Sequence, residues 1–140
     1  MSKFDALELA VDQPSRMTIH HPVTGQPLKD SEGNDAYMDL LSLDSDKAKA
    51  YERKLNTSRL AQRVRQSITA EQLEAEHVAR LACLCTGWRL LTLDGSPLEV
   101  PHSEQNASEL FSNNRMAWLK EQVEAFLATR ANFMKGLPKN

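Results

Sequence analysis

Cys83-Leu84-Cys85-Thr86-Gly87-Trp88, continued through Asp94-Gly95-Ser96-Pro97 to Asn106 and Phe111, is the stretch around which the rest of the chain is arranged. An amphipathic pattern that begins behind Thr69 runs into it. Gly87, which has no Cβ, is suited to the left-handed conformation that closes many helices. The pattern therefore predicts a helix from Thr69 to Gly87 that ends on the Trp88 indole. A short apolar run from Leu90 to Leu93 follows, then a tight turn at Asp94-Gly95, then Pro97 and Pro101, with Ser103 as the cap of the next helix. Two helices are thus expected to hinge on a compact turn beside a tryptophan.

Upstream of that knot, Thr69 with Gln72 has the form of a capping box, and Ile68 with Leu73 that of a hydrophobic staple. Leu73, His77, Leu81, Leu84 and Trp88 recur at near-helical spacing and form the expected core stripe. Residues 16–43 read as β-structure: Met17 and Ile19 alternate with Thr18 and His20, and Tyr37, Leu40 and Leu41 supply a second strand. Two turn signals, Val23-Thr24-Gly25-Gln26 and Ser31-Glu32-Gly33-Asn34, lie between them, which predicts a hairpin with a long polar tip. A lone hairpin is only marginally stable, so it must lie on a helix or pair with another chain. Residues 1–15 are either a short helix built on Phe4, Leu7, Ala10 and Val11 and ended by Pro14, or an arm docked on a neighbour.

Asp44 or Ser45 caps a following helix, with Asp46 in its first turn. Between residues 47 and 65 the bases Lys47, Lys49, Arg53, Lys54, Arg59, Arg63 and Arg65 face a single acid, Glu52. A solvated helix face is the leading reading of this run, and a docking face for an acidic partner is the functional one. Nucleic acid ranks lower, because no aromatic residue interleaves with the bases. Downstream, residues 103–111 form a short helix, Asn114 caps a final one, and that helix runs from about Arg115 towards Met134 until Gly136 and Pro138 stop it. The fold class expected is α+β, predominantly helical with a small N-terminal β-hairpin. Residues 1–67 hold the arm, hairpin and basic helix, and residues 68–140 a C-terminal helical region, within one compact unit.

Length and composition limit the function. At 140 residues the chain is large enough for a core without disulfide or metal staples. A formal net charge of −2 argues against attraction of the whole molecule to nucleic acid or anionic lipid. Two cysteines at i,i+2 on a helix point to different faces and do not pair, which, with no leader segment, reads as a reducing, cytosolic setting. The strongest metal candidate is His77 with Cys83, Cys85 and His102, yet that spacing matches no usual zinc pattern. No Gly-x-Ser-x-Gly elbow or phosphate-cradling glycine loop is present, so an enzyme, and a nucleotide-binding one above all, is disfavoured and no cofactor is expected. Trp118, Phe126, Phe133 and Met134 on the last helix are core or interface anchors; with Arg53, Arg59 and Arg63 they are the candidate partner-binding residues.

The chain resembles the tail assembly chaperones of long-tailed, siphovirus-type bacteriophages. The resemblance lies in Ile19-His20-His21-Pro22-Val23-Thr24-Gly25-Gln26-Pro27-Leu28, in Gly33, in the Leu43-Asp44-Ser45 helix entry, and in Leu81 to Trp88. It continues through Asp94-Gly95-Ser96-Pro97, Ser103-Glu104-Gln105-Asn106-Ala107, Leu110, and Gln122 to Asn132-Phe133. It implies a non-enzymatic factor that associates with the tape measure protein in the host bacterial cytoplasm, keeps it soluble, helps recruit tail tube protein, and is absent from the mature virion. It also implies a longer form made by ribosomal frameshifting near the end of the short product; codons for Pro138-Lys139-Asn140 are compatible with an adenine run. The late aromatics, which need cover, point to self-association into a homo-oligomer. The rival expectation is a structural virion component, such as a tail completion or head-tail joining protein.

Overall fold

A computed structural model describes residues 3–63 and 67–134. Two strands, β1 (Ser15–Thr18) and β2 (Tyr37–Leu40), pair antiparallel with Met17 opposite Met38. Helix α1 (Asp46–Arg63) follows, then α2 (Ala70–Leu84), strand β3 (Cys85–Arg89), α3 (Glu104–Ser112) and α4 (Ala117–Ala128). The fold is α+β and mostly helical, with one three-stranded antiparallel sheet in the order β1-β2-β3. That sheet takes strands from both sides of residue 67, so the N-terminal and C-terminal stretches share one core.

The helix entered behind Thr69 does not reach Gly87. It stops at Leu84, and Cys85-Thr86-Gly87-Trp88-Arg89 leave it as an extended strand. Gly87 is not in the left-handed region. What ends the helix is β2: the Leu41 N–H donates to the Leu84 carbonyl at 2.9 Å, and Leu40, Asp39 and Met38 pair with Cys85, Gly87 and Trp88 across a bulge. The carbonyls that a left-handed cap would satisfy are satisfied by a strand remote in sequence. Trp88, half-buried, is fixed by the donation of its Nε1–H to the Val100 carbonyl at 2.8 Å and by the edge of His102 at 5.1 Å. Leu73, expected in the core, is 49% exposed on the first turns of α2, whereas Val78, Leu81, Ala82 and Leu84 are buried.

The hairpin forms, but its tip is not a long polar excursion. The chain folds back twice, so that the N–H of Ile19 bonds to Ala36, that of Ala36 to Leu28, and that of Leu28 to Ile19, at 2.8–3.0 Å. All three side chains are buried, which anchors the connection from its middle. Gly25, Gly33 and Gly95 hold the only positive φ angles among the described residues. At Gly95 a Cβ would stand 2.5 Å from the Lys29 carbonyl oxygen, because the turn after β3 packs on that connection.

Caps follow the sequence closely elsewhere. The hydroxyls of Ser45, Thr69 and Ser103 accept from the N–H groups of Ala48, Gln72 and Asn106 at 3.2, 3.1 and 3.0 Å. At the last helix the cap is Asn113, not Asn114, and it serves a 3-10 turn at Asn114–Met116. The helix also ends early: α4 stops at Ala128 and a second 3-10 turn, Arg130–Phe133, turns the chain back. The N-terminal segment forms neither a full helix nor a wholly detached arm. A 3-10 turn at Asp5–Leu7 is followed by Ala10, whose N–H bonds to Phe133 at 2.7 Å.

Candidate functional site

The sheet has two edges, and they are treated differently. Just past β3 the chain turns back: Leu91 bridges Pro97, the Leu98 N–H donates to the Leu90 carbonyl at 3.1 Å, and the returning segment reaches β3 through the Trp88 Nε1–H on the Val100 carbonyl and the His102 ring on the Cys85 carbonyl. Pro97 and Pro101 in that strap bring no backbone donors. At β1 no strand covers the edge among the described residues. Because the Ile19 N–H points to Ala36, ladder alternation turns the backbone groups of Arg16 and Thr18 away from β2. An edge of this kind is a template for an added chain.

Helix α4 runs beside this free edge. Leu119, Val123 and Leu127, four residues apart, are buried against the core, which leaves Trp118, Gln122, Ala125, Phe126 and Thr129 on the flank towards β1. Gln122 joins the two elements as a strand residue would: its Oε1 accepts from the His20 N–H at 2.9 Å and its Nε2–H donates to the His20 carbonyl at 2.8 Å. His20 donates through Nδ1–H to the Thr18 carbonyl at 3.2 Å, and the His21 Nδ1 accepts from the N–H of Val23 at 3.1 Å, which shapes the rim. Between edge and helix lies an open groove of about 750 Å3, with Arg16 and Thr18 along one wall and Trp118 and Phe126 along the other.

The four candidate partner residues expected on the last helix end in different states. Trp118 and Phe126 are half-buried, line the groove, and pack on the core from outside. Phe133 is only 2% exposed; it backs Phe126 edge-on at 5.6 Å and belongs to the core of its own chain, so it is not a free anchor. The reason is the early end of α4, after which the Asn132 side chain donates to the Phe126 carbonyl at 2.9 Å and swings Phe133 inward. Met134 is 47% exposed. Gln122 carried no distinguishing signal in the sequence; its role depends on a backbone 102 residues away.

The three arginines also separate. Arg59 is spent within the molecule, paired with Glu76 across the α1–α2 contact, and so is not a free docking group; the Arg80 Nε donates to Glu52 at 2.5 Å beside it. The Tyr51 hydroxyl donates to the Glu76 carbonyl at 3.0 Å, and Gln62 and Gln72 exchange bonds at 2.7 and 2.5 Å, so α1 and α2 are held by a polar seam. Hydrogen bonding from Arg59 holds the Glu76 carboxyl below the usual carboxylate range against the opposing effect of burial. Arg53 is exposed and has no ion-pair partner among the described residues. The side chain of Arg63, all of Arg65, and the frameshift segment at 138–140 lie outside the described residues.

The outer face of the sheet is polar and internally neutralised. Arg16 stacks on the Tyr37 ring at 3.6 Å and binds Asp39 through Nε and Nη2 at 2.9 and 3.1 Å, while Arg89 donates to Asp30 at 2.5 Å. The sequence's metal candidates are dispersed to other work. His77 pairs with Glu124 and His102 Nε2–H donates to the Cys85 carbonyl at 2.9 Å. Burial pushes the Cys85 thiol up to about 12. Among the described residues no three His, Cys, Asp or Glu side chains converge to hold a metal, and no helix is long and apolar enough to cross a membrane. No protein-family model, curated protein or solved structure matches the chain.

Proposed function

We propose that the protein is a tail assembly chaperone of a long-tailed bacteriophage, acting by protein contact and without catalysis. In this reading it binds the tape measure protein, keeps that protein's long amphipathic helices soluble and helps recruit tail tube subunits. It works in the host cytoplasm, stays out of the mature virion, and engages neither nucleic acid nor membrane. The resemblance in the sequence supplies the partner. The observation that carries the reading is the groove between β1 and α4, where two aromatic side chains remain half in water on a rigid helix while the rest of the apolar stripe is buried. Apolar residues of a foreign helix laid on Trp118 and Phe126 would leave water together with them, the arrangement of helix-in-groove recognition. The adjoining strand edge, where Gln122 already takes the His20 backbone and the His20 ring the Thr18 carbonyl, leaves the outward groups near Arg16 to an extended segment that flanks such a helix.

The test is co-expression with the tape measure protein of the same phage, followed by pull-down and quantitation of soluble tape measure. Soluble tape measure is expected to rise and co-elute with the chain, and Trp118→Ala combined with Phe126→Ala to abolish the gain. An indifferent tape measure protein, or stoichiometric copies of the chain in purified particles, would overturn the proposal in favour of a structural virion component.

A further inference from the structure

Charge is distributed unevenly along this chain. Residues 47–65 hold seven of its 17 Lys and Arg and one of its 19 Asp and Glu, which leaves ten bases against eighteen acids elsewhere. The packing then sorts those bases. Ala48 and Leu55 turn α1 towards the core, and Glu52 and Arg59 are taken by Arg80 and Glu76 on α2. Lys47, Arg53 and Lys54 stay exposed without an ion-pair partner among the described residues, and Lys49 reaches Asp44 only at 4.0 Å. The one acid within residues 47–65 is therefore neutralised by Arg80, although its side chain stays 41% exposed, and the outer face carries a surplus of Lys and Arg with Asp46 at its N-terminal end.

The order of residues on that face matters. Lys47 and Lys54 are two turns apart on one side of it, and Lys49 and Arg53 one turn apart on the other. Between the two rows lie exposed Ala50, Thr57 and Ala61, with Asp46 at the N-terminal end of the strip, and beside Arg53 lies Leu60, which is 63% exposed. From Lys47 to Leu60 the face extends about 20 Å at a rise of about 1.5 Å per residue.

We propose that the outer face of α1 docks an acidic amphipathic helix of a protein partner. Carboxylates on the two flanks of the incoming helix meet Lys47 and Lys54 on one side and Lys49 and Arg53 on the other, while its apolar stripe covers Leu60 and the alanines. A nucleic-acid backbone satisfies this face less well. It has no use for the apolar strip, the face carries no aromatic side chain for bases to stack on, and the acidic remainder of the molecule repels a long polyanion beyond the contact. This surface shares no residue with the groove beside α4.

The full-length chain is titrated into a fluorescein-labelled synthetic helix built on glutamate and leucine heptads, with anisotropy as the readout, alongside a duplex DNA of equal charge. Binding to the acidic helix is expected to weaken as salt rises. Lys47→Glu, Arg53→Glu and Lys54→Glu together should weaken it at least about tenfold, since each reversal converts an attraction at an exposed site into a repulsion. Leu60→Ala should weaken the peptide severalfold and leave any DNA binding unchanged. If the triple variant fails to fold by circular dichroism, the corresponding glutamine triple replaces it, with a smaller loss expected. Equal affinity of the variants and the native chain for the peptide overturns the proposal. So does binding of the duplex as tight as that of the peptide and lost through the same three bases.

Discussion

Phe133→Ala separates an aromatic residue that holds the molecule together from one that meets a partner. The side chain is almost completely buried, packs edge-on against Phe126, and sits on a segment tied to the N-terminus by the bond from Ala10 and by the Ser15 hydroxyl, which donates to the Asn132 carbonyl at 2.5 Å. Truncating a fully buried phenylalanine costs about 3–5 kcal/mol in lost burial and residual cavity. The rigid ties to residues 10 and 15 limit collapse of the site, which places this case in the upper half of that range. Against a total stability of about 5–15 kcal/mol this is a large fraction, and at about 3–5 °C per kcal/mol for a chain of this size it lowers the melting temperature by about 12–25 °C. Thermal and urea denaturation followed by far-UV circular dichroism measure it. Trp118→Ala is the control: the indole is half-exposed on the groove wall, so the loss is expected to stay near 1–2 kcal/mol while tape measure binding falls. A Phe133→Ala variant that melts within a few degrees of the native protein would refute the reasoning, above all if it had lost partner binding.

Other expectations concern the turns, the acid limb and the thiols. Gly95→Ala should destabilise by about 2–4 kcal/mol, more than Gly25→Ala at about 1–2 kcal/mol, because both pay for a positive φ but only Gly95 also meets a backbone carbonyl; equal urea midpoints for the two variants would contradict the packing of that turn on Lys29. The Asp30 carboxyl is held below its ordinary 3.8, first by the Asn34 N–H and then by Arg89, so its stabilising contribution is full above that value and is lost as pH falls through the lower folded one. Arg89→Gln should therefore flatten the acid-denaturation curve below about pH 4, as read by circular dichroism; an unchanged acid limb would count against the pair. Burial raises both thiols, Cys85 far more than Cys83, so a thiol reagent near neutral pH should label Cys83 slowly and Cys85 only on unfolding. Labelling of both at one rate in the native protein would refute that difference.

The parts legible in the sequence were those governed by neighbours within a few residues. Ser45, Thr69 and Ser103 cap where their spacing from the following apolar stripe places them, and Met17 and Ile19 alternate inward as their period requires. The basic run on α1 was visible as composition, but not that Arg59 is consumed by Glu76 of another helix while Arg53 has no ion-pair partner among the described residues. Trp118 and Phe126 were identifiable as aromatics on one helix flank. Their neighbour across the groove, the free edge of β1, was not, because nothing local marks one strand edge as open and the other as strapped.

Residue types and their periods were enough to establish an α+β chain with an N-terminal hairpin, capped helices and a cationic helix face, because capping, alternation and helical spacing act over one or two turns. Where α2 ends, that Cys85 to Arg89 become a third strand, and that Phe133 is turned into the core were settled by packing. Gly87 could have closed a helix, but the ladder bonds and buried side chains gained against Met38 and Leu40 outweigh that local preference. They come from a strand about 45 residues upstream, where no local pattern reports them.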